Sequence, residues 1–307
     1  MNKDKRRLFS STGDESFVER VQETSVFLVT GAAGKTGNAI IQALTAKGES
    51  VRALVFRHNQ VALLNQLGVK EVVVGDMLNQ ELVNEAVADV RGIYHICPNM
   101  HPDEVAIGQL VVACAKSAGC ERFVYHSVLH PQIQAMPHHW HKFLVEEHLL
   151  DSGLSCTILQ PAAYMQNILA NWHQILTDGI YSVPYAAKTR LSMVDLEDVS
   201  EAAIKVLREP GHEGATYELS GPDVLNQKEV AAILEEQLQR SVSVQEIGIE
   251  MWQEQAKNSG LGDYRIDTLS KMFRYYERYD FLGTPKALAA LLGRTPGSFA
   301  EFVKRNL

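Results

Sequence analysis

The sequence predicts a doubly wound α/β fold: a parallel β-sheet between layers of helices, followed by a smaller and mostly helical C-terminal part. Three observations predict it, namely short apolar runs without alternation, helical patterns between them, and a tail from about Gln227 in which helical patterns prevail. Apolar runs without alternation are typical of strands that are buried on both faces of a sheet. Strand–helix alternation at this spacing favours parallel strands that are joined by right-handed crossovers.

The first half of the chain carries the regular alternation. Apolar runs predict strands at residues 25–30, 51–55, 70–76, 92–97, 122–127 and 155–161. Helical patterns predict helices at residues 35–47, about 61–67, between 76 and 92, about 102–118, and 138–152. We therefore expect a dinucleotide-binding type of sheet over residues 25–161.

The rhythm loosens after Pro161. The patterns predict a helix at residues 164–176, a strand at 191–195, a helix at 195–207, and a strand and turn within 215–223. We assign residues 162–307 to a substrate-binding C-terminal part and residues 1–24 to a flexible N-terminal extension. The chain is expected to cross back between the C-terminal part and the sheet. The two parts are expected to form a cleft at the carboxyl ends of the strands, where open α/β sheets bind ligands.

Composition excludes several classes of protein. The 307 residues carry a formal charge of −8, and 46% of them are hydrophobic. An acidic balance argues against broad nucleic-acid binding, which needs clustered cations. No apolar run reaches the roughly 18 residues of a membrane span, and the N-terminus lacks the apolar stretch of a signal peptide. We expect a cytoplasmic protein without a membrane partner, whose four cysteines are reduced core residues.

Three evenly spaced glycines follow the first predicted strand. Gly31, Gly34 and Gly37 form a G-x-x-G-x-x-G pattern that opens the next helix. A glycine in such a turn lets a ligand approach the backbone closely, and the helix N-terminus offers N–H groups to a pyrophosphate. The strand–glycine–helix context predicts dinucleotide binding by a Rossmann-type domain.

The residues after the second and third strands bear on the choice of cofactor. A carboxylate that would bond the adenine ribose is absent after "VRALV", where Phe56 and Arg57 follow instead. A cation there suits a 2′-phosphate, so NADP is favoured and NAD stays possible; a surface arginine unrelated to phosphate is the alternative. Asp76 after the third strand bonds the adenine amino group or caps the following helix.

Several stretches together resemble a known family. "VTGAAGKTG", "FVYHSVLH", "HKFLVEEHLLDSGLSCTILQPAAYMQN" and "GHEGATYELSGPD" resemble the NmrA-like group of atypical short-chain dehydrogenases, and within it the bacterial NADPH-dependent quinone oxidoreductase members. The resemblance covers about residues 25–307 and implies a Rossmann domain with a smaller domain over the substrate. It further implies cofactor contacts by Gly31, Ala32, Ala33, Gly34, Lys35, Thr36, Gly37, Asp76, Cys97, Pro98, Ser127 and Lys142. Arg57, from the argument on the 2′-phosphate, and Met77 complete the candidate cofactor contacts. Among these, Ser127 would lie near the nicotinamide, and Lys142 would hold the nicotinamide ribose.

The chain departs from the family pattern at two places. Many members carry arginine directly after the second strand, where Phe56 stands here. Typical short-chain dehydrogenases use Y-x-x-x-K, whereas here His138 stands four residues before Lys142. His138 or His130 is a candidate proton donor because imidazole titrates near neutral pH, although we favour loop histidines without a role.

Two further interpretations concern the same region. Tyr164 either faces the nicotinamide or packs at a domain junction. Five histidines crowd residues 126–141, but no acid or cysteine stands at a matching spacing, so a metal site is disfavoured.

Two functions fit these observations. The first is an NADPH-dependent oxidoreductase that passes hydride to a quinone or similar conjugated acceptor, with Lys142, Ser127, His138 and Tyr164 as candidate catalytic residues. A quinone needs little acid catalysis, so the missing tyrosine fits a protein that mainly holds donor and acceptor together. The second is an NADP(H) redox sensor that acts on a regulatory protein partner without turnover.

Overall fold

A seven-stranded parallel sheet is the centre of the molecule. The computed structural model describes residues 26–307. In spatial order the strands are β10 (Thr216–Leu219), β6 (Cys156–Pro161), β5 (Phe123–His126), β4 (Val90–His95), β1 (Val26–Val29), β2 (Ser50–Val55) and β3 (Glu71–Val74). All six pairings between neighbours are parallel, which confirms the predicted fold class. The predicted N-terminal extension, residues 1–24, lies outside the described residues.

Helices cover both faces of this sheet. On one face α1 (Lys35–Ala46) and α7 (Leu196–Arg208) pack on a core that includes Phe27, Tyr94 and Val124. On the other face α3 (Gln80–Val87), α4 (Glu104–Ser117) and α5 (Pro137–Asp151) pack on a core that includes Leu28, Ile93 and Tyr125. Successive strand residues thus alternate between the two cores, as the pleat requires. A short α2 (Val61–Gln66) joins β2 to β3.

The second half of the chain contributes to the sheet and also builds a separate layer beyond it. Strand β10 lies beside β6, and α7 packs against α1, so residues 196–219 belong to the sheet layers. The rest forms a three-stranded sheet of β11 (Val224–Asn226), β9 (Arg190–Val194) and β7 (Ala163–Tyr164), and a pair of β12 (Ser243–Glu246) with β8 (Ile180–Val183). Its helices are α6 (Trp172–Asp178), α8 (Gln227–Leu238), α9 (Ile249–Asn258) and α12 (Phe299–Arg305). Two further helices, α10 (Asp263–Tyr279) and α11 (Lys286–Leu292), contribute buried residues to the core on the α1–α7 face of the main sheet.

The predicted helix at residues 164–176 is wrong in its first part. Ala163 and Tyr164 are extended and pair with Met193 and Val194 of β9. A 3₁₀ segment, Met165–Asn171, follows, and α6 begins only at Trp172. The pairing with β9 holds the backbone extended just after β6, which leaves the Tyr164 side chain at the carboxyl end of the main sheet. In residues 26–307 no helix is long and apolar enough to cross a membrane.

Candidate active site

The glycine turn joins β1 to α1 at the carboxyl edge of the sheet. Gly31 has a φ of +58°, and a Cβ there would lie 2.8 Å from the carbonyl oxygen of Ile96. A Cβ on Gly37 would lie 2.5 Å from the Gly31 oxygen. Both positions therefore require glycine for packing.

Gly34 has a different role from its two neighbours in the pattern. It is exposed, and a Cβ there would meet only the Gly31 oxygen, at 3.3 Å. As the N-cap of α1 it supplies no side-chain cap to the first turn of the helix. The outer side of the turn is thus open for an anion at a helix N-terminus.

Lys35 and Thr36 reach from this turn towards the chain that follows β6. The Lys35 Nζ atom lies 3.4 Å from both the Gln166 carbonyl oxygen and the Asn167 Oδ1 atom, and burial lowers the Lys35 pKa. The Thr36 Oγ1 atom lies 3.4 Å from the Tyr164 hydroxyl. These contacts place Tyr164 beside the turn.

The ends of β2 and β3 lie along the same edge. Phe56, 63% exposed, and Arg57, also exposed, follow β2. The Asp76 Oδ1 atom accepts from the Leu78 N–H at 2.9 Å, and Asn79 caps α3. The interpretation of Asp76 as the cap of α3 is therefore wrong, because the side-chain oxygen of Asn79 accepts from the first free N–H groups of that helix instead. Met77 is buried in the core on the α3 side.

Cys97 and Pro98 follow β4. The Cys97 side chain is buried in the core, and its thiol contacts the Glu104 carbonyl oxygen at 3.8 Å. At Cys97 itself the side chain points inward, so only the backbone of that residue can line the cleft, whereas Pro98 is half-buried. All four cysteines are buried and free, as predicted.

A buried ion pair links α4 to α5. The Lys142 Nζ atom lies 2.8 Å from Glu104 Oε1, and His138 Nδ1 lies 3.2 Å from Glu104 Oε2. Lys142 also donates to the His126 carbonyl oxygen, at 3.2 Å, where β5 ends. Burial alone would raise the pKa of Glu104, but Lys142 and His138 outweigh it and lower that pKa to about 2. We call these three side chains, Glu104, Lys142 and His138, the charged network.

The helix α5 presents this network on one face. His138, Lys142 and Glu146 are spaced by four residues, so their side chains follow one another along the helix. The interpretation of His138 as a loop histidine is wrong, because it lies in α5 and is buried against Glu104. His138 and Lys142 thus share the Glu104 carboxylate, one on each oxygen.

Ser127 stands directly after β5, as predicted, but its side chain is 2% exposed. The hydroxyl donates to Glu146, which also accepts from Gln160 Nε2 at 3.0 Å on both carboxylate oxygens. Burial raises the pKa of Glu146, against the effect of these hydrogen bonds. The Ser127 hydroxyl thus donates its hydrogen to a buried carboxylate and not to the cleft.

A chain of neutral groups lies on the opposite face of the sheet. The Tyr94 hydroxyl is 2.6 Å from His126 Nδ1, and the Tyr164 hydroxyl is 2.6 Å from His126 Nε2. Burial, with help from Lys142 and His138, lowers the pKa of His126 to about 3. We call these three side chains, Tyr94, His126 and Tyr164, the neutral network. Tyr164 is half-buried and is the member nearest the glycine turn.

The other histidines of the crowded region serve packing. His130, at a φ of +53°, lies with Nε2 2.7 Å from the Leu282 carbonyl oxygen, and His139 packs edge-on against Phe281. Within residues 26–307 no group of three or more histidine, cysteine or acidic residues is placed to hold a metal. A surface groove of about 770 Å³ between α1 and α7 is lined by none of the predicted site residues.

Sequence reasoning missed Glu104, Tyr94 and Glu146, and it noted His126 only among the crowded histidines. One signal for Glu104 was present. It stands three, four and seven residues before Ile107, Gly108 and Val111, on the buried face of α4. An acid on an otherwise apolar helix face indicates a buried partner, here Lys142.

The chain is similar to known proteins over nearly its whole length. A model described as the NmrA-like family matches residues 23–294. An NAD(P)H azoreductase from Xenophilus azovorans is 26% identical over 283 residues, which are 92% of this chain and 98% of the relative. Quinone oxidoreductase 2 from Escherichia coli is 26% identical over 277 residues, 90% of this chain and 96% of the relative. The crystal structure of the Escherichia coli NADPH-dependent quinone oxidoreductase QOR2 with NADPH superposes with a TM-score of 0.79, at 25% identity over 91% of this chain and 99% of that one.

Proposed function

The chain belongs to the NmrA-like family, and we propose that it is an NADPH-dependent oxidoreductase that passes hydride to a quinone or a similar conjugated acceptor. Relatives that are matched over nearly their whole length are named as NAD(P)H-dependent or quinone-reducing enzymes. They confirm the predicted cofactor class and oxidoreductase activity. The regulatory protein partner and the cytoplasmic location stay predictions.

The observation that carries the proposal is the position of Lys142. Its ammonium group is buried, yet it lies where β5 ends, held between the Glu104 carboxylate and the His126 carbonyl oxygen. A buried lysine is costly unless its partners are fixed, so this position is defined closely. We assign Lys142 the orientation of the nicotinamide ribose, the role that the family resemblance also implies for it.

The described residues fit a dinucleotide. Gly34 leaves the outer side of the turn open, α1 begins there, and the exposed Arg57 lies at the end of β2 for a 2′-phosphate. NADPH would supply the hydride. The protein would hold the nicotinamide and the acceptor in the orientation that hydride transfer needs. Bringing donor and acceptor together in this way accounts for much of such a rate enhancement.

Cofactor binding at the turn is tested by Gly34→Val. A branched side chain on the open side of the turn should abolish NADPH binding, measured by calorimetry, without a change in melting temperature. Gly262→Val is the matched control, because Gly262 is also a helix N-cap, with φ −70° against −76° for Gly34, and has open space around it. Unchanged NADPH affinity of Gly34→Val would refute the site.

The preference for NADPH is tested by Arg57→Ala. A charged hydrogen bond to phosphate is typically worth about 1.5–3 kcal/mol, or at least about tenfold in affinity. The variant should lose most of the NADPH preference and bind NADH as before. Equal affinity of the unmutated protein for both cofactors would refute the role of Arg57.

The role of His138 is tested by His138→Ala. Because its Nδ1 faces Glu104, we expect quinone turnover to stay within about tenfold of the unmutated rate, whereas loss of a general acid usually costs about 10²–10⁴. A larger loss, with the fold intact by circular dichroism, would make His138 the proton donor.

A further inference from the structure

The neutral network runs without a break from the core to the cleft. Tyr94 comes from β4, His126 from the end of β5, and Tyr164 from β7, so three separate elements each supply one group. Both ring nitrogens of His126 lie 2.6 Å from a phenol oxygen. A neutral imidazole carries its hydrogen on one ring nitrogen, which donates, while the other nitrogen accepts. Burial of the two partners decides which nitrogen of His126 carries the hydrogen.

The innermost group fixes the first hydrogen. Tyr94 is 0% exposed, and burial raises the pKa of its phenol. Within residues 26–307 His126 Nδ1 is the only hydrogen-bond partner of that hydroxyl. A buried hydroxyl that does not donate leaves an unsatisfied donor, so Tyr94 donates and Nδ1 accepts. The neutral ring of His126 must then carry its hydrogen on Nε2.

The tautomer of His126 in turn fixes the direction of the hydrogen bond to Tyr164. Since Nε2 carries the hydrogen, it donates to the Tyr164 oxygen. Tyr164 therefore cannot donate to His126. Its oxygen also accepts from the Thr36 Oγ1 hydroxyl, at 3.4 Å, so neither neighbour takes the Tyr164 hydrogen, which is left free to point into the cleft beside the glycine turn. Burial raises the pKa of the Tyr164 phenol, and the hydrogen bond from Thr36 acts in the opposite direction. The N–H of His126 also favours proton donation, because it stabilises the phenolate as it forms.

We propose that Tyr164 is a catalytic residue that donates its proton to the oxygen of the acceptor, and that Tyr94 is a positioning residue that directs this hydrogen into the cleft through the tautomer of His126. The proposal rests on the proposed function. In the step, bound NADPH would supply a hydride, and the quinone gains that hydrogen with both of its electrons and becomes the hydroquinone anion. The Tyr164 O–H bond breaks as the hydroquinone O–H bond forms, and water in the cleft returns a proton to the phenolate.

Such a donor matters in proportion to the basicity of the reduced acceptor. A chlorinated benzoquinone gives a weakly basic hydroquinone anion that needs little help. A methylated benzoquinone gives a more basic anion, and conjugated carbonyls give stronger bases still. Tyr164 would therefore set how far the acceptor range extends beyond electron-poor quinones.

The activity test compares Tyr164→Phe with the unmutated protein over chlorinated to methylated benzoquinones. The loss in kcat/KM should grow along the series, from less than about tenfold to about 10². A purely structural role would lower all the values by the same factor, and that result would overturn the proposal. KM for NADPH should not change.

The positioning test uses Tyr94→Phe and nitrogen-15 NMR of His126. In the unmutated protein Nε2 should be the protonated nitrogen, and in Tyr94→Phe the Nδ1 resonance should shift as its hydrogen bond is lost. The variant should lose about two- to tenfold in kcat, the worth of one neutral hydrogen bond, and lose nothing further in a Tyr164→Phe background. Tyr125→Phe is the matched control, since Tyr125 is equally buried and its hydroxyl has no partner within residues 26–307.

Two failures are distinguishable. A hydrogen on Nδ1 of His126 in the unmutated protein would overturn this proposal and leave the proposed function standing. If the unmutated protein fails to oxidise NADPH with every acceptor tested, the proposed function is overturned, and with it the role of Tyr164 as a donor.

Discussion

The charged and neutral networks lie at similar depth on opposite faces of one sheet, and they are built from different chemistry. The charged network, on the α4–α5 face, neutralises Glu104 with Lys142 and leaves no charge unpaired. The neutral network, on the α1–α7 face, contains only hydrogen bonds between uncharged groups. Burial is therefore compatible either with a fixed charge or with a fixed direction of a hydrogen bond, provided that each polar group has a partner.

The two networks meet at His126. Lys142 donates to its backbone oxygen, while the side chain bonds the two tyrosines. The positive charge of Lys142 also helps to lower the pKa of His126, after burial itself. The charged network therefore holds a cation in place and helps to keep its neighbour neutral.

The largest expected effect breaks the charged network. Glu104→Gln removes the negative charge and leaves Lys142 buried without a counter-ion, so the free energy of unfolding should fall by about 3–5 kcal/mol. Urea denaturation measures it. Glu81→Gln is the control, because Glu81 is an exposed acid in the first turn of α3 as Glu104 is in the first turn of α4. Equal losses in the two variants would show that only the helix dipole matters.

The next effect concerns the neutral histidines. Burial lowers the pKa of His95, His126 and His139 to about 3 in the folded state. The unfolded chain therefore binds more protons than the folded chain between about pH 3 and pH 6.5, and stability should rise with pH over that range, by up to about 1.4 kcal/mol per pH unit for each histidine. The raised pKa of Glu146 acts in the opposite direction.

His126→Asn isolates one of these contributions. The pH dependence of its unfolding free energy should be shallower than that of the unmutated protein over the same range. Parallel curves would show that His126 is not buried in its neutral form, which would contradict the neutral network.

The smallest effect is the loss of one neutral hydrogen bond. Tyr94→Phe should lower the free energy of unfolding by about 1 kcal/mol, well below the loss in Glu104→Gln. Thermal denaturation beside the Tyr125→Phe control checks it. A loss as large as that of Glu104→Gln would mean that the Tyr94 hydroxyl supports more than His126.

The features that sequence reasoning predicted are local, and those it missed join distant residues. The turn from Gly31 to Gly37 is one strand, one turn and one helix, so its spacing alone predicts it. Glu104 lies 38 residues before its partner Lys142. Tyr94 lies 32 residues before His126, and Tyr164 lies 38 residues after it. Only the order of the strands in the fold brings these residues together.

Two local errors have the same origin. The helical pattern after Pro161 does not show that β9 will pair with Tyr164 and keep it extended. The acid of "VVVGDM" has a cap-like position, but Asn79, three residues later, has the competing side chain that α3 uses. In both places a second candidate partner decided the outcome.

We expect the protein to turn over NADPH because Lys142 orients the nicotinamide, and a coupled assay of cofactor and acceptor checks this. The loss of NADPH absorbance and the formation of hydroquinone are followed together with a quinone panel, for the unmutated protein and for Lys142→Met. We predict one hydroquinone for each NADPH oxidised, and a loss of more than about tenfold in Lys142→Met through a misplaced nicotinamide. No oxidation by the unmutated protein with any quinone, together with tighter binding of one redox state of the cofactor, would contradict the account and favour a redox sensor.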